Sequence, residues 1–149
     1  MVWRKQLVSW IAAAGLVLGA SWAQAQSLLE LSLGIHRIPA EVANTDELRT
    51  VGLMQRKSLP TNSGMLFVFN QEARHCMWMR NTLIPLAVAF IDGQGHIINI
   101  EEMLPQTENT HCAVKPAKFA LEMNAGWFKS RGYGVGAPIA GIDKAPPAR

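Results

Sequence analysis

Leu29, Leu31 and Leu33 alternate with Glu30 and Ser32, and this two-residue period predicts a half-buried strand over residues 28–34. The chain then continues extended through residues 35–44, where Pro39 limits ladder pairing. The period changes in "NTDELRTVGLM", residues 44–54. Asn44 can cap a helix there, with Glu47 three residues on, and Leu48, Val51 and Met54 would form its buried stripe. A loop follows in "RKSLPTNSG".

From Gly64 onward the pattern is that of short strands. "MLFVF" and "HCMWM" are strand candidates, and "LAVAFI" (residues 86–91) is apolar without alternation, which suits a strand buried on both faces. "DGQG" is a hairpin turn and "HIINIEE" its return strand. In "KFALEMN", Phe119, Leu121 and Met123 alternate with Ala120, Glu122 and Asn124. "AGWFKSRG" predicts a short helix capped by Asn124 and ended by Gly132, and "VGAPIAGI" is a last extended piece. Short strands joined by Gly and Pro turns place the chain in the mainly β class. The expected architecture is a compact antiparallel β barrel or sandwich, with one or two short helices over an opening or edge.

The first residues read differently. Arg4 and Lys5 precede an uncharged apolar run over residues 7–20, and Ala23-Gln24-Ala25 supplies the small residues of a cleavage site. This is the pattern of a secretory signal peptide, residues 1–25, cut after Ala25. The run is short for a membrane span of about 20 residues, so no stable anchor is expected after cleavage. Residues 26–143 form the expected single domain, and residues 144–149 a flexible C-terminal tail. The full chain carries 14 Lys+Arg against 11 Asp+Glu; without Arg4 and Lys5 the balance is 12 against 11, a net charge of +1. A nucleic-acid partner is therefore not expected. Export implies a periplasmic or secreted protein in an oxidising compartment, where Cys76 and Cys112 have one way to pair.

Three stretches, "VGLMQRKSLPTNSGMLFVFN", "MWMRNTLIPLAVAFIDGQGHIINI" and "ALEMNAGWFKSRGYGVG", together resemble the domain of unknown function 192 family. The shared pattern is G-L-M-x-R, G-M-L-F-x-F, W-M-x-N-T-x-I-P-L, an acidic-glycine hairpin and L-E-x-N-A-G, over roughly residues 31–139. The resemblance implies a small, mainly β, frequently exported domain and no established activity. Ala87 stands where the family usually has an aspartate after P-L, and Ala137 stands where it usually closes on G-D. The Cys76 and Cys112 pair is not a general feature of the pattern.

Candidate chemistry gathers in "RHCMWMRNT", residues 74–82. His75, Met77 and Met79 with His111 could serve a soft metal such as copper, and methionines at such positions also simply fill cores. A Cys76–Cys112 disulfide would close a loop of about 36 residues, stabilising by roughly 3–4 kcal/mol in the chain-entropy model. It would also withdraw both thiolates from a metal set. Arg80, Asn81, Thr82, Glu122 and Asn124 form a polar group. They could line a ligand pocket, with Trp78 or Trp127 stacking on a ring, or close a barrel end as an internal hydrogen-bond network. No catalytic motif is present: there is no G-x-S-x-G and no H-E-x-x-H, and Glu101 and Glu102 are adjacent and so face opposite sides of a strand. The expected function is an exported binding or accessory module for a small molecule, such as a saccharide or cell-envelope fragment, without a cofactor. The alternatives are copper handling and a purely structural or protein-interaction domain.

Overall fold

A computed structural model describes residues 28–149; the expected signal peptide lies outside the described residues. Strands β1 (Leu29–Leu33) and β2 (His36–Ala43) form a hairpin, helix α1 (Asp46–Val51) follows, and β3 (Gly64–Ala73) runs into a two-residue strand β4 (Cys76–Met77). The second half comprises β5 (Leu86–Ile91), β6 (Ile97–Met103), β7 (His111–Cys112), β8 (Ala117–Asn124), helix α2 (Trp127–Ser130) and β9 (Ile139–Ala140). The main sheet has the order β6-β5-β8-β3-β2-β1-β9, and β4 pairs with β7 in a separate two-stranded ribbon. The protein is mainly β, as its pattern predicts.

The sheet curls into a half-barrel whose two edges meet at one end. The segment leading into β9 bonds to the start of β6: Ile97 N–H donates to Ala137 O (3.1 Å), Gly136 N–H to Ile97 O (2.8 Å) and Ile139 N–H to Gly95 O (2.9 Å). Residues 139 and 140 also pair with β1. All strand pairs are antiparallel except β2–β3, which is parallel from Ala40↔Gly64 to Ala43↔Phe67. A parallel pair needs a long crossover, supplied here by residues 44–63 with α1 inside them. β2 pairs with β1 over residues 36–40 and with β3 only from Ala40. Pro39, which has no N–H to donate, sits where the strand changes partners.

Side-chain alternation divides the buried residues into two clusters. One fills the concave side: Leu31, Leu33, Ile38, Leu66, Val68, Ala87, Ala89, Ile91, Phe119, Leu121 and Met123, closed by Trp127 and Phe128 of α2. The other lies on the outer face of the same wall: Met65, Phe67, Phe69, Leu86, Val88, Phe90 and Ala120, covered by Leu53, Leu59 and Met79. β5 is buried along its whole length because both clusters need it.

Three local expectations are corrected. Thr45, not Asn44, caps α1, its hydroxyl accepting from Leu48 N–H (3.2 Å). Asn44 is instead buried against the C-terminus: it donates to Pro147 O (2.9 Å), and its carbonyl accepts from Arg149 N–H (2.8 Å). Within residues 144–149, expected as a flexible tail, Ala145 and Ala148 also pack on the concave-side core. Val51 is half exposed; Leu53, past the end of the short helix, is the buried residue in its place. Gly126 in a left-handed conformation, not Asn124, begins α2.

Candidate functional site

The alternation of β8 sends Phe119, Leu121 and Met123 into the concave core and Glu122 to the outer face. Its neighbours across the sheet are Met65 on β3 and Val88 on β5, both apolar. Glu122 is only 4% exposed and has no hydrogen bond or ion pair among the described residues. Burial pushes its carboxyl up from an ordinary 4.5 to about 8, so the acid is neutral at pH 7.

Glu122 lines a pocket of about 340 Å3, within the range of about 300–1,000 Å3 typical of small-molecule sites. Phe67 and Phe69 of β3, Leu53 and Met54 after α1, and Met77, Trp78 and Thr82 beyond β4 also line it. Its rim on α1 carries Asp46, Arg49 and Thr50. Arg49 donates to Asp46 Oδ1 (2.6 Å) and, through its other terminal nitrogen, to Val68 O (2.8 Å), which fastens α1 to β3. Thr50 donates its hydroxyl hydrogen to Asp46 O (2.8 Å) and Thr82 to Arg80 O (3.3 Å).

The β4–β7 ribbon forms part of the cover. Cys76 faces Cys112 in the ladder, with Cα atoms 4.0 Å apart, and the two are joined by a disulfide. Cys76 is itself a lining residue, so the staple sits in the pocket wall. The disulfide, and the lack of any described helix long and apolar enough to cross a membrane, are compatible with export.

The polar group expected from the sequence is only partly brought together. Trp78, Thr82 and Glu122 converge on the pocket. Arg80 points outward, 3.6 Å from Glu108, with its guanidinium carbon 5.6 Å from the Trp78 ring centroid. Asn81 is exposed in a left-handed conformation (φ 55°), and its carbonyl accepts from Gln55 N–H (2.9 Å). Asn124 donates to Leu59 O (3.0 Å), holding the loop before β3. Trp127 belongs to the concave core, bonded to Asn62 and covered by Arg131. The internal network expected to satisfy Glu122 is not formed among the described residues. Sequence reasoning missed Asp46, Arg49, Phe67 and Phe69. The phenylalanines carried a signal, because Met65, Phe67 and Phe69 alternate on the face that opposes Glu122.

The residues of the copper alternative are dispersed in role. His75 stacks on Phe69 (centroids 3.7 Å apart), with Nε2 2.9 Å from Gln71 O. Met79 is wholly buried, Met77 lines the pocket, and His111 lies beside Asn109 and Glu101. Among the described residues no three His, Cys, Asp or Glu side chains are grouped to hold a metal ion.

Fold and pocket together define the class: a small curled β half-barrel carrying a covered pocket on the outside of its wall. The chain belongs to the domain of unknown function 192 family, described as an uncharacterized ACR, whose model matches residues 28–141. It is similar to a crystal structure of a protein of unknown function from Novosphingobium aromaticivorans DSM 12444, with 30% identity, 75% of this chain and 84% of that chain covered, and a TM-score of 0.72. It is also similar to a Sinorhizobium meliloti 1021 protein described as a "putative transcription regulator", with 33% identity, 76% and 91% coverage, and a TM-score of 0.70. No curated protein matches.

Proposed function

We propose that the protein is an exported binding module whose small-molecule ligand seats in the pocket over Glu122. The observation that carries this reading is a carboxyl group buried in an apolar wall, facing a cavity, and unpartnered among the described residues. A side chain placed so costs stability, since burying a polar group without a hydrogen bond is unfavourable by about 1–3 kcal/mol. A ligand that bonds to it would offset that cost. Trp78, half exposed at the mouth, supplies a ring face for an apolar or cyclic portion.

The test is Glu122→Gln, read by urea unfolding near pH 5, where the acid and the amide are both neutral. The variant should retain wild-type stability within about 1 kcal/mol, because no partner is lost. A loss above about 3 kcal/mol would show that the carboxyl holds the fold together, and the pocket reading would fall.

A further inference from the structure

Of the carboxylate, guanidinium and hydroxyl groups lining the pocket, Glu122 alone is left without a partner among the described residues. The rim cation, Arg49, is held by Asp46 and Val68 O. The hydroxyl hydrogens of Thr50 and Thr82 are committed to backbone carbonyls. A polyhydroxylated ligand such as a saccharide would find few donors here. The pocket instead offers one strong polar point surrounded by Phe67, Phe69, Trp78 and the thioethers of Met54 and Met77. Aromatic faces and a carboxyl group both favour a cation once water is displaced.

We propose that the pocket takes an organic cation, a primary alkyl- or arylammonium, with its nitrogen at the Glu122 carboxyl and its carbon body against Phe67, Phe69 and Trp78. This rests on the reading of the pocket as a binding site and names the ligand class. The step is an ion-pair formation with loss of one proton: the carboxylic acid and the ammonium give a carboxylate–ammonium pair, and the acid proton passes to solvent. The Asp46–Arg49 pair is neutral as a unit, and the facing residues on β3 and β5, Met65 and Val88, carry no charge, so nothing else in the wall supplies a counter-ion. Beyond Val88, Glu101 lies toward His111. Because the carboxyl titrates near 8, the proton is within about one pH unit of leaving at neutrality.

The experiment titrates the disulfide-intact protein with benzylammonium chloride and, separately, with its uncharged counterpart benzyl alcohol. Calorimetry at pH 7 uses two buffers of different ionisation enthalpy. Benzylammonium should bind with release of close to one proton per ligand. Its affinity should fall at least tenfold in Glu122→Gln, and benzyl alcohol should bind at least tenfold more weakly. Binding of the alcohol as tight as the ammonium, binding of the ammonium without proton release, equal affinity in Glu122→Gln, or no binding of the ammonium at millimolar concentration would each overturn the cation assignment. The pocket reading stands or falls separately, on the stability of Glu122→Gln near pH 5.

Discussion

Glu122 makes stability depend on pH in a direction opposite to that of an ion-paired carboxylate. Its folded-state pKa is about 8 against an ordinary 4.5, and the cause is desolvation. The folded protein therefore keeps a proton that the unfolded chain has already released. Stability from this group is complete below pH 4.5 and is lost as pH rises toward 8, at about 1.4 kcal/mol per unit. Integrated from pH 5 to pH 8, the loss is roughly 3–4 kcal/mol. The side chain is almost wholly buried, so solvent screening does not reduce this much. Urea unfolding of wild type and Glu122→Gln at intervals of one pH unit isolates the effect, because every other ionisable group is common to both proteins and cancels in the difference. The variant should gain on the wild type steadily across the range and be the more stable protein at pH 8. Parallel pH profiles, with a difference constant to about 0.5 kcal/mol, would refute the reasoning, since a carboxyl of ordinary pKa contributes no such slope.

Three further predictions concern the scaffold. Reduction, or Cys76→Ser with Cys112→Ser, should lower stability by about 3–4 kcal/mol for a loop of this length, measured as the shift in urea midpoint with and without reductant; an unmoved midpoint would contradict a closed bridge. Gly64→Ala should cost more than about 2 kcal/mol by thermal unfolding, because a Cβ there would lie 2.6 Å from Glu122 O and 2.5 Å from Met123 Sδ; a neutral result would mean β3 and β8 are not so close. Thr45→Ala should cost about 1 kcal/mol through loss of the α1 cap, whereas Asn44→Ala should release the C-terminus, seen as faster trimming by carboxypeptidase; exchange of these two outcomes would restore Asn44 as the cap.

Much of the architecture was legible because period-two alternation reports burial directly. β8 shows this best: the pattern that separated Phe119, Leu121 and Met123 from Glu122 is the division between the concave core and the outer face. The unbroken apolar run of β5 likewise announced a strand needed by both. The parallel β2–β3 pair was not legible, since nothing local distinguishes a crossover from a hairpin loop containing a short helix. The cap was misplaced by one residue because Asn44 and Thr45 are both good caps, and the choice was made by the C-terminus, about a hundred residues away, which uses Asn44. The candidate site was half legible for a related reason. Trp78, Thr82 and Glu122 could be named as chemistry-bearing types, but Arg80 and Asn81 leave a strand that ends at Met77, and beyond that point alternation no longer dictates where side chains go.

The two-cluster division also explains how this fold can carry a stability cost at Glu122. The concave core gathers residues from β1, β2, β3, β5, β6, β8 and β9 and is plugged by α2, so it closes without help from the cover. The cover is a separate assembly. α1 is fastened to β3 by Arg49, and the β4–β7 ribbon is stapled within itself by the Cys76–Cys112 bridge, a link between two cover strands and not between cover and wall. The disulfide therefore braces the pocket's cover within itself, while Asn99 of β6 ties it to the wall, donating to Cys112 O (3.1 Å) and accepting from Val114 N–H (3.1 Å). Because the concave core is packed apart from the cover, the wall carries the unpartnered acid on its outer face without opening that core. The acid and its cover thus form a unit distinct from the core that supports them, and it is in this unit that ligand chemistry is to be sought.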